Sequence, residues 1–254
     1  MLAFPYLFPN SIFRINIVTI AMLLLSGLIV LIVLRIAARK LDVRHPRGLQ
    51  NAVEWAIEFT RTLARDTLPS EQMVPWILPL AFTMITFLFV ANWLGILMTI
   101  SLHVSRPIPQ LGITSAALAA AHGEVPLFDS PTANMSMTLG FAVMVWIISH
   151  IQGLRTPRAY FRHFLTNPMA LIEEITNPLT HGMRLYGNIF AGEALIGTIL
   201  TVFPRLFGWI PTGLPFLVVW LFYCAFVSTI QAYVFTILMS LYIGQKSYRY
   251  HTDH

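Results

Sequence analysis

Arginine, asparagine and glutamate stand at offsets 0, +4 and +9 in MRLYGNIFAGE, residues 183–193. Their chemistry is that of ions held inside an apolar helix. Arg184 cannot shed its proton to escape burial, and mid-membrane placement costs about 2.5–3.5 kcal/mol even on mild insertion scales. An arginine near a helix end could snorkel to the interface, but Arg184 lies about 16–19 residues from either end of its helix. The other account is a fixed positive charge whose anionic partner comes from elsewhere. Asn188 lies one turn on, on the same face. Glu193, nine residues on, is rotated about 900° and displaced about 13.5 Å along the axis, so it cannot be Arg184's salt-bridge partner. Two ionisable groups at different depths, facing different ways, form stations on an ion path.

The element that must position them runs from Leu165 to Phe203. Asn167 can cap it and Pro168 suits a first helical position, where a missing N–H costs nothing. About 36 residues at 1.5 Å each give roughly 54 Å, against a hydrocarbon core of about 30 Å. The spacing therefore predicts a helix that tilts steeply, bends or projects, with Pro178 the place for a bend. Gly187, Ala191, Gly192, Ala194 and Gly197 remove bulk, so that another helix can come close.

The whole chain is 56% hydrophobic and 11% charged over 254 residues, where soluble domains run near 25% charged. This predicts an all-α integral membrane protein, one membrane domain of about five to six helices. Spans are expected at 17–36, 75–100 and 132–151. Two long tilted helices, 167–203 and 213–244, form a hairpin through a Pro/Gly-rich turn, and 101–131 reads as a loop rich in Pro, Ser and His.

Residues 47–66 instead place Leu49, Ala52, Val53, Ala56, Phe59 and Leu63 on one side and Gln50, Glu54, Glu58, Arg61 and Arg65 on the other. This is an amphipathic helix for the membrane surface or for a soluble partner. The charge of the first span follows its apolar run, unlike a cleaved secretory signal.

Sixteen Lys and Arg divide unevenly. Twelve fall in 35–66, 155–162 and after 245, and three (Arg14, Arg106, Arg205) on the opposite side, which puts the N-terminus outside and the C-terminus in the cytoplasm. The formal +5 therefore reports topology and argues against a nucleic-acid partner. A single cysteine, Cys224, excludes an intrachain disulfide.

Further polar residues sit in the apolar helices. Gln231 shares a face with Cys224, Ser228 and Phe235; it suits either a helix–helix hydrogen bond or an ion path. Glu173 and Glu174 open the long helix, where acids favour the N-terminal dipole or form the mouth of a channel. His181, one turn before Arg184, either titrates near neutrality or packs between helices. No phosphate-cradling GxxxxGK[ST], no HExxH and no CxxC is present, so neither a nucleotide, a metal nor a cofactor is expected.

With Arg, Asn and Glu at these offsets, MRLYGNIFAGE resembles the signature of subunit a of the F-type ATP synthase, in its bacterial form. The resemblance covers most of the chain and is strongest over 165–245. It implies a non-nucleotide-binding stator subunit of the proton channel in the cell membrane, partnered by the c-ring and the b subunit. Arg184 would face the ring's carboxylate between two offset half-channels, with Glu193 on the outer path. Gln231 then matches the family's glutamine near the arginine, while Cys224 stands where relatives have histidine or another polar residue. PTANMSMTL (131–139) matches a stretch where an acid commonly follows the alanine, but Asn134 stands there. The resemblance therefore leaves Glu193 as the main titratable station of the outer path. A secondary transporter with broken midplane helices is the rival, and it would show two matching halves; none is visible. A membrane scaffold would leave Arg184 and Glu193 without a role.

Overall fold

The computed structural model describes residues 4–8, 15–39, 41–42, 47–97, 100–121, 123–154, 168–203, 205–206 and 210–248. It is an assembly of seven α-helices among those residues with three small two-stranded sheets, the first pairing β1 (Tyr6–Leu7) with β2 (Ile15–Asn16). The expected all-α membrane class is what is found. Among the described residues, four helices are long and apolar enough to cross a membrane: Ile17–Ala38, Glu71–Leu97 with its leading 3₁₀ turn, Met135–Gly153 and Leu214–Lys246.

Helix α1 (Ile17–Ala38) begins where Asn16 accepts hydrogen bonds from the Val18 and Thr19 amides, satisfying N–H groups that a first turn leaves open. Helix α2 (Leu49–Thr67) is the amphipathic element. It buries Leu63 and Ala64 against its neighbours and leaves Trp55 and Phe59 stacked on the outside. Helix α3 (Val74–Leu97) tolerates Pro79 in its interior. The expected 101–131 loop has more structure than its composition suggests. Strands β3 (Ile100–His103) and β4 (Glu124–Phe128) pair antiparallel around the short helix α4 (Ser115–Ala120). Its Pro and Ser residues turn the chain rather than prevent pairing.

Helix α5 (Met135–Gly153) follows a 3₁₀ turn at Pro131–Ala133. The two long helices are α6 (Pro168–Val202) and α7 (Leu214–Tyr248), each of 35 residues. Between them β5 (Arg205–Leu206) and β6 (Ile210–Pro211) pair antiparallel. Pro178 lies inside α6 and Pro168 is its first residue. Asn167 and the basic link Arg155, Arg158, Arg162 lie outside the described residues.

Helices α3, α5, α6 and α7 pack on one another, with α1 and α2 against α3. Phe235, Met239 and Ile243 of α7, Ile77, Ala81 and Leu88 of α3, and Leu185 of α6 are buried at the centre. Between membrane-spanning helices these side chains act through close van der Waals packing rather than through removal from water. A polar knot crosses this core. Asn92 of α3, fully buried, donates to the Ser228 carbonyl (3.2 Å) and accepts from Thr132 Oγ1 (2.7 Å), which also pairs with Ser130 Oγ. A buried amide with both ends satisfied fixes the register of three segments. Gly95 makes the knot possible, because a Cβ there would collide with Ser130.

Candidate functional site

Leu185 and Ile189 of α6 point into the core, with 0% and 4% exposure. Arg184 and Asn188, each one residue and about 100° earlier, consequently turn to the outer surface, and both are exposed. Arg184 makes no hydrogen bond or ion pair among the described residues. Around it the same surface is thinly clothed. A Cβ at Gly187 would meet nothing within 4 Å, and Ala191 and Ala194 are exposed. The small residues thus serve two purposes. Gly192 instead lets α7 approach, since a Cβ there would lie 3.1 Å from Cys224 Sγ, and Gly182 makes room for Leu139 of α5.

Two clefts, of about 560 and 520 Å³, flank the arginine along the helix. From α6 the first takes Glu173, Glu174, Asn177, Pro178 and His181; the second takes Asn188, Gly192, Glu193 and neighbouring apolar residues. Arg184 lines neither. His181 and Asn188 are separated by about 10 Å of helix axis, and the arginine occupies the interval.

In the first cleft Lys246 of α7 donates to Glu174 Oε2 at 2.6 Å and lies 2.9 Å from His150 Nδ1, while His150 Nε2 is 3.3 Å from the same Glu174 oxygen. Three helices therefore meet in one ion cluster, with Trp146 against the His150 ring. Glu173, expected beside Glu174, is exposed on the cleft's rim and makes no ion pair among the described residues. His181, the deepest titratable group here, is 2% exposed and stacked on Phe235 at 3.9 Å. It packs between helices, and its Nε2 has no hydrogen-bond partner among the described residues.

In the second cleft Asn188 donates to Gln231 Oε1 at 2.7 Å, joining the two long helices beside the arginine. Gln231 is buried, as are Ser228 and Cys224 on the same face of α7. Ser228 uses its carbonyl on Asn92, and Cys224 lies within electrostatic reach of Glu193. Trp220 donates to the Gly192 carbonyl at 3.1 Å, closing one wall.

Glu193 reaches across to the loop before α5 and shares a hydrogen bond with Asp129. The Ser130 main chain hydrogen-bonds both carboxyl groups. Burial pushes the Asp129 carboxyl up from the ordinary aspartate range, outweighing those hydrogen bonds. Glu193 Oε1 is enclosed without a protein hydrogen-bond partner among the described residues. Sequence reasoning missed Asp129. Its one available signal was an acid immediately before the SPTAN turn, in a chain otherwise poor in acids. Asn134 is committed elsewhere: its Oδ1 caps α5 at Ser136 N (3.0 Å) and its Nδ2 donates to Thr19 Oγ1 of α1 (3.3 Å).

Comparison with known proteins agrees in kind. A family model described as ATP synthase A chain matches residues 20–244. The ATP synthase subunit a of Enterococcus hirae is 36% identical over 237 residues, covering 89% of each chain. That of Streptococcus gordonii is 34% identical with 91% of each chain covered. That of Staphylococcus carnosus is 34% identical over 242 residues, covering 92% of this chain and 91% of its own.

Proposed function

This chain belongs to the ATP synthase A chain family, and from that premise we propose that it is the stator of a rotary proton channel, with Arg184 as the charge between two half-channels. The observation that carries this reading is the placement of an exposed arginine, unpaired among the described residues, between two clefts that open on either side of it along one helix. The arginine's partner is then a carboxylate on a ring of c subunits passing over the surface stripped by Gly187, Ala191 and Ala194. A nearby cation favours the ionised carboxylate, so the ring site releases its proton as it reaches Arg184. The same charge stands in the way of a proton moving directly between the clefts. Transport then requires rotation, driven by about 2.3 kcal/mol per charge per 100 mV.

The cleft with Glu193, Asn188, Gln231, Ser228 and Cys224 is the outer half-channel. The one with Glu173, Glu174 and His181 is the cytoplasmic half-channel. The orientation follows from the positive-inside asymmetry, in the cell membrane with the N-terminus outside. Single cysteines near Ser105 and Ser247, in a Cys224→Ala background, should label from opposite sides. The b subunit completes the stator, and catalysis on ATP belongs to other subunits.

The decisive experiment measures ATP synthesis and passive proton conductance in membranes carrying Arg184→Gln or Arg184→Lys, with assembly verified by copurification of the ring. Both variants should lose coupled synthesis, because lysine can shed its proton when desolvated. Arg184→Gln should also leak protons once the catalytic sector is stripped. Wild-type synthesis in Arg184→Gln would refute the assignment.

A further inference from the structure

Resting on that reading, we infer that Asp129 and Glu193 work as one unit, a carboxyl pair that holds and passes the proton at the outer half-channel. Two carboxyl groups can share a hydrogen bond only when one carries a proton, and the pair then titrates as a unit. Asp129 is half-buried in the loop between β4 and the Pro131–Ala133 turn, and Glu193 meets it from α6. The Ser130 main chain hydrogen-bonds both, and Ser130 is itself 2% exposed and tied through Thr132 to Asn92. The loop is thus anchored, not an exposed strand of chance contacts. The turn also packs on α6.

No cation compensates the pair among the described residues. The titratable groups facing it are Cys224 and Tyr223 of α7, neither of them a cation in any protonation state; α3 offers Asn92 and Ile96. The resting pair therefore carries one proton and one negative charge. A proton arriving from an external hydronium makes both carboxyls neutral, and one then leaves inward toward the ring, restoring the singly protonated pair. Asn134 cannot substitute, since an amide has no exchangeable acid proton in this range and its two ends already cap α5 and hold α1.

The test uses the whole enzyme reconstituted in liposomes, oriented with the outer face in the lumen. ATP synthesis is measured against lumenal pH at fixed external pH and fixed potential, for Asp129→Asn and Asp129→Glu. The asparagine can still donate to the Glu193 carboxylate, which keeps the fold but stabilises the unloaded form. Its rate should fall about tenfold, and the lumenal pH of half-maximal synthesis should move acidward. Asp129→Glu retains a carboxyl and should keep at least half the rate with the wild-type midpoint. A wild-type rate and midpoint in Asp129→Asn overturns the pair. So does equal impairment in both variants with no shift of midpoint, which would mark Asp129 as structural. Arg184→Gln in the same assay separates the two ideas: synthesis lost there, beside a wild-type Asp129→Asn, sinks only the pair. Synthesis retained in Arg184→Gln sinks the channel reading itself.

Discussion

The two clefts beside Arg184 handle charge in opposite ways. On the Glu174 side an acid, a base and an ammonium group meet within 3.3 Å of one another, drawn from α5, α6 and α7. On the Glu193 side two acids meet each other with no cation among the described residues. A compensated cluster mainly holds helices together. Two neighbouring acids without a cation disfavour each other's charged form. One helix thus carries a compensated ion cluster at one end and an uncompensated acid pair at the other. The difference arises from the loops and neighbours each end meets, since both acids belong to α6.

That contrast is open to direct attack, beginning where the effect should be greatest. Glu193→Gln should slow ATP-driven proton pumping by on the order of 100-fold, the scale of losing a positioned proton-transfer group, while Glu193→Asp retains part of it. Glu174→Gln should slow pumping only a few-fold, because Lys246 and His150 still face the cleft. Pumping assays in membrane vesicles that find the two glutamines equally damaging would erase the distinction.

The next effect is on stability. Lys246→Met leaves Glu174 partly buried beside His150 and should cost roughly 1–3 kcal/mol. Thermal unfolding of the detergent-solubilised enzyme would report it, and adding Glu174→Gln should recover much of the loss. No change in Lys246→Met would mean the cluster does not hold the helices. Asn92→Leu is the counterpart near the acid pair. It removes one partner each from Thr132 Oγ1 and the Ser228 carbonyl, at about 0.5–1.5 kcal/mol, and should also weaken proton pumping by loosening Ser130. Unimpaired pumping in a folded Asn92→Leu enzyme would show that Ser130 holds its place without the knot.

The smallest effect separates inward from outward glycines. Gly182→Ala must push Leu139 aside, since its Cβ would come within 2.9 Å of Leu139 Cδ2, and should lower the unfolding temperature slightly. Gly187→Ala enters open space and should leave the isolated chain's stability unchanged while reducing coupled synthesis with the ring. A stability loss in Gly187→Ala would show that its surface already touches this chain.

Much of this could be seen in the amino-acid order. Helix periodicity placed Arg184 and Asn188 together and Glu193 away from them, because 100° per residue is a local property of the backbone. Apolar run lengths marked out helical blocks for the same reason. Gln231, Ser228 and Cys224 shared a face by spacing alone, and all three proved buried. The loop at 101–131 was less legible, since a short pairing such as β3 with β4 depends on its partner as much as on composition.

What no spacing could state was which distant segments meet. Lys246 finds Glu174 across 72 positions and Asn92 finds Ser228 across 136. Asp129 meets Glu193 only because a buried turn is tied to α3 and laid against α6. The sequence determined which side chains could carry charge and on which helix faces they lie, because those follow from local geometry. The tertiary structure alone decided which charges meet a counter-charge and which meet another acid, because electrostatic partners are set by the packing of segments far apart in the chain.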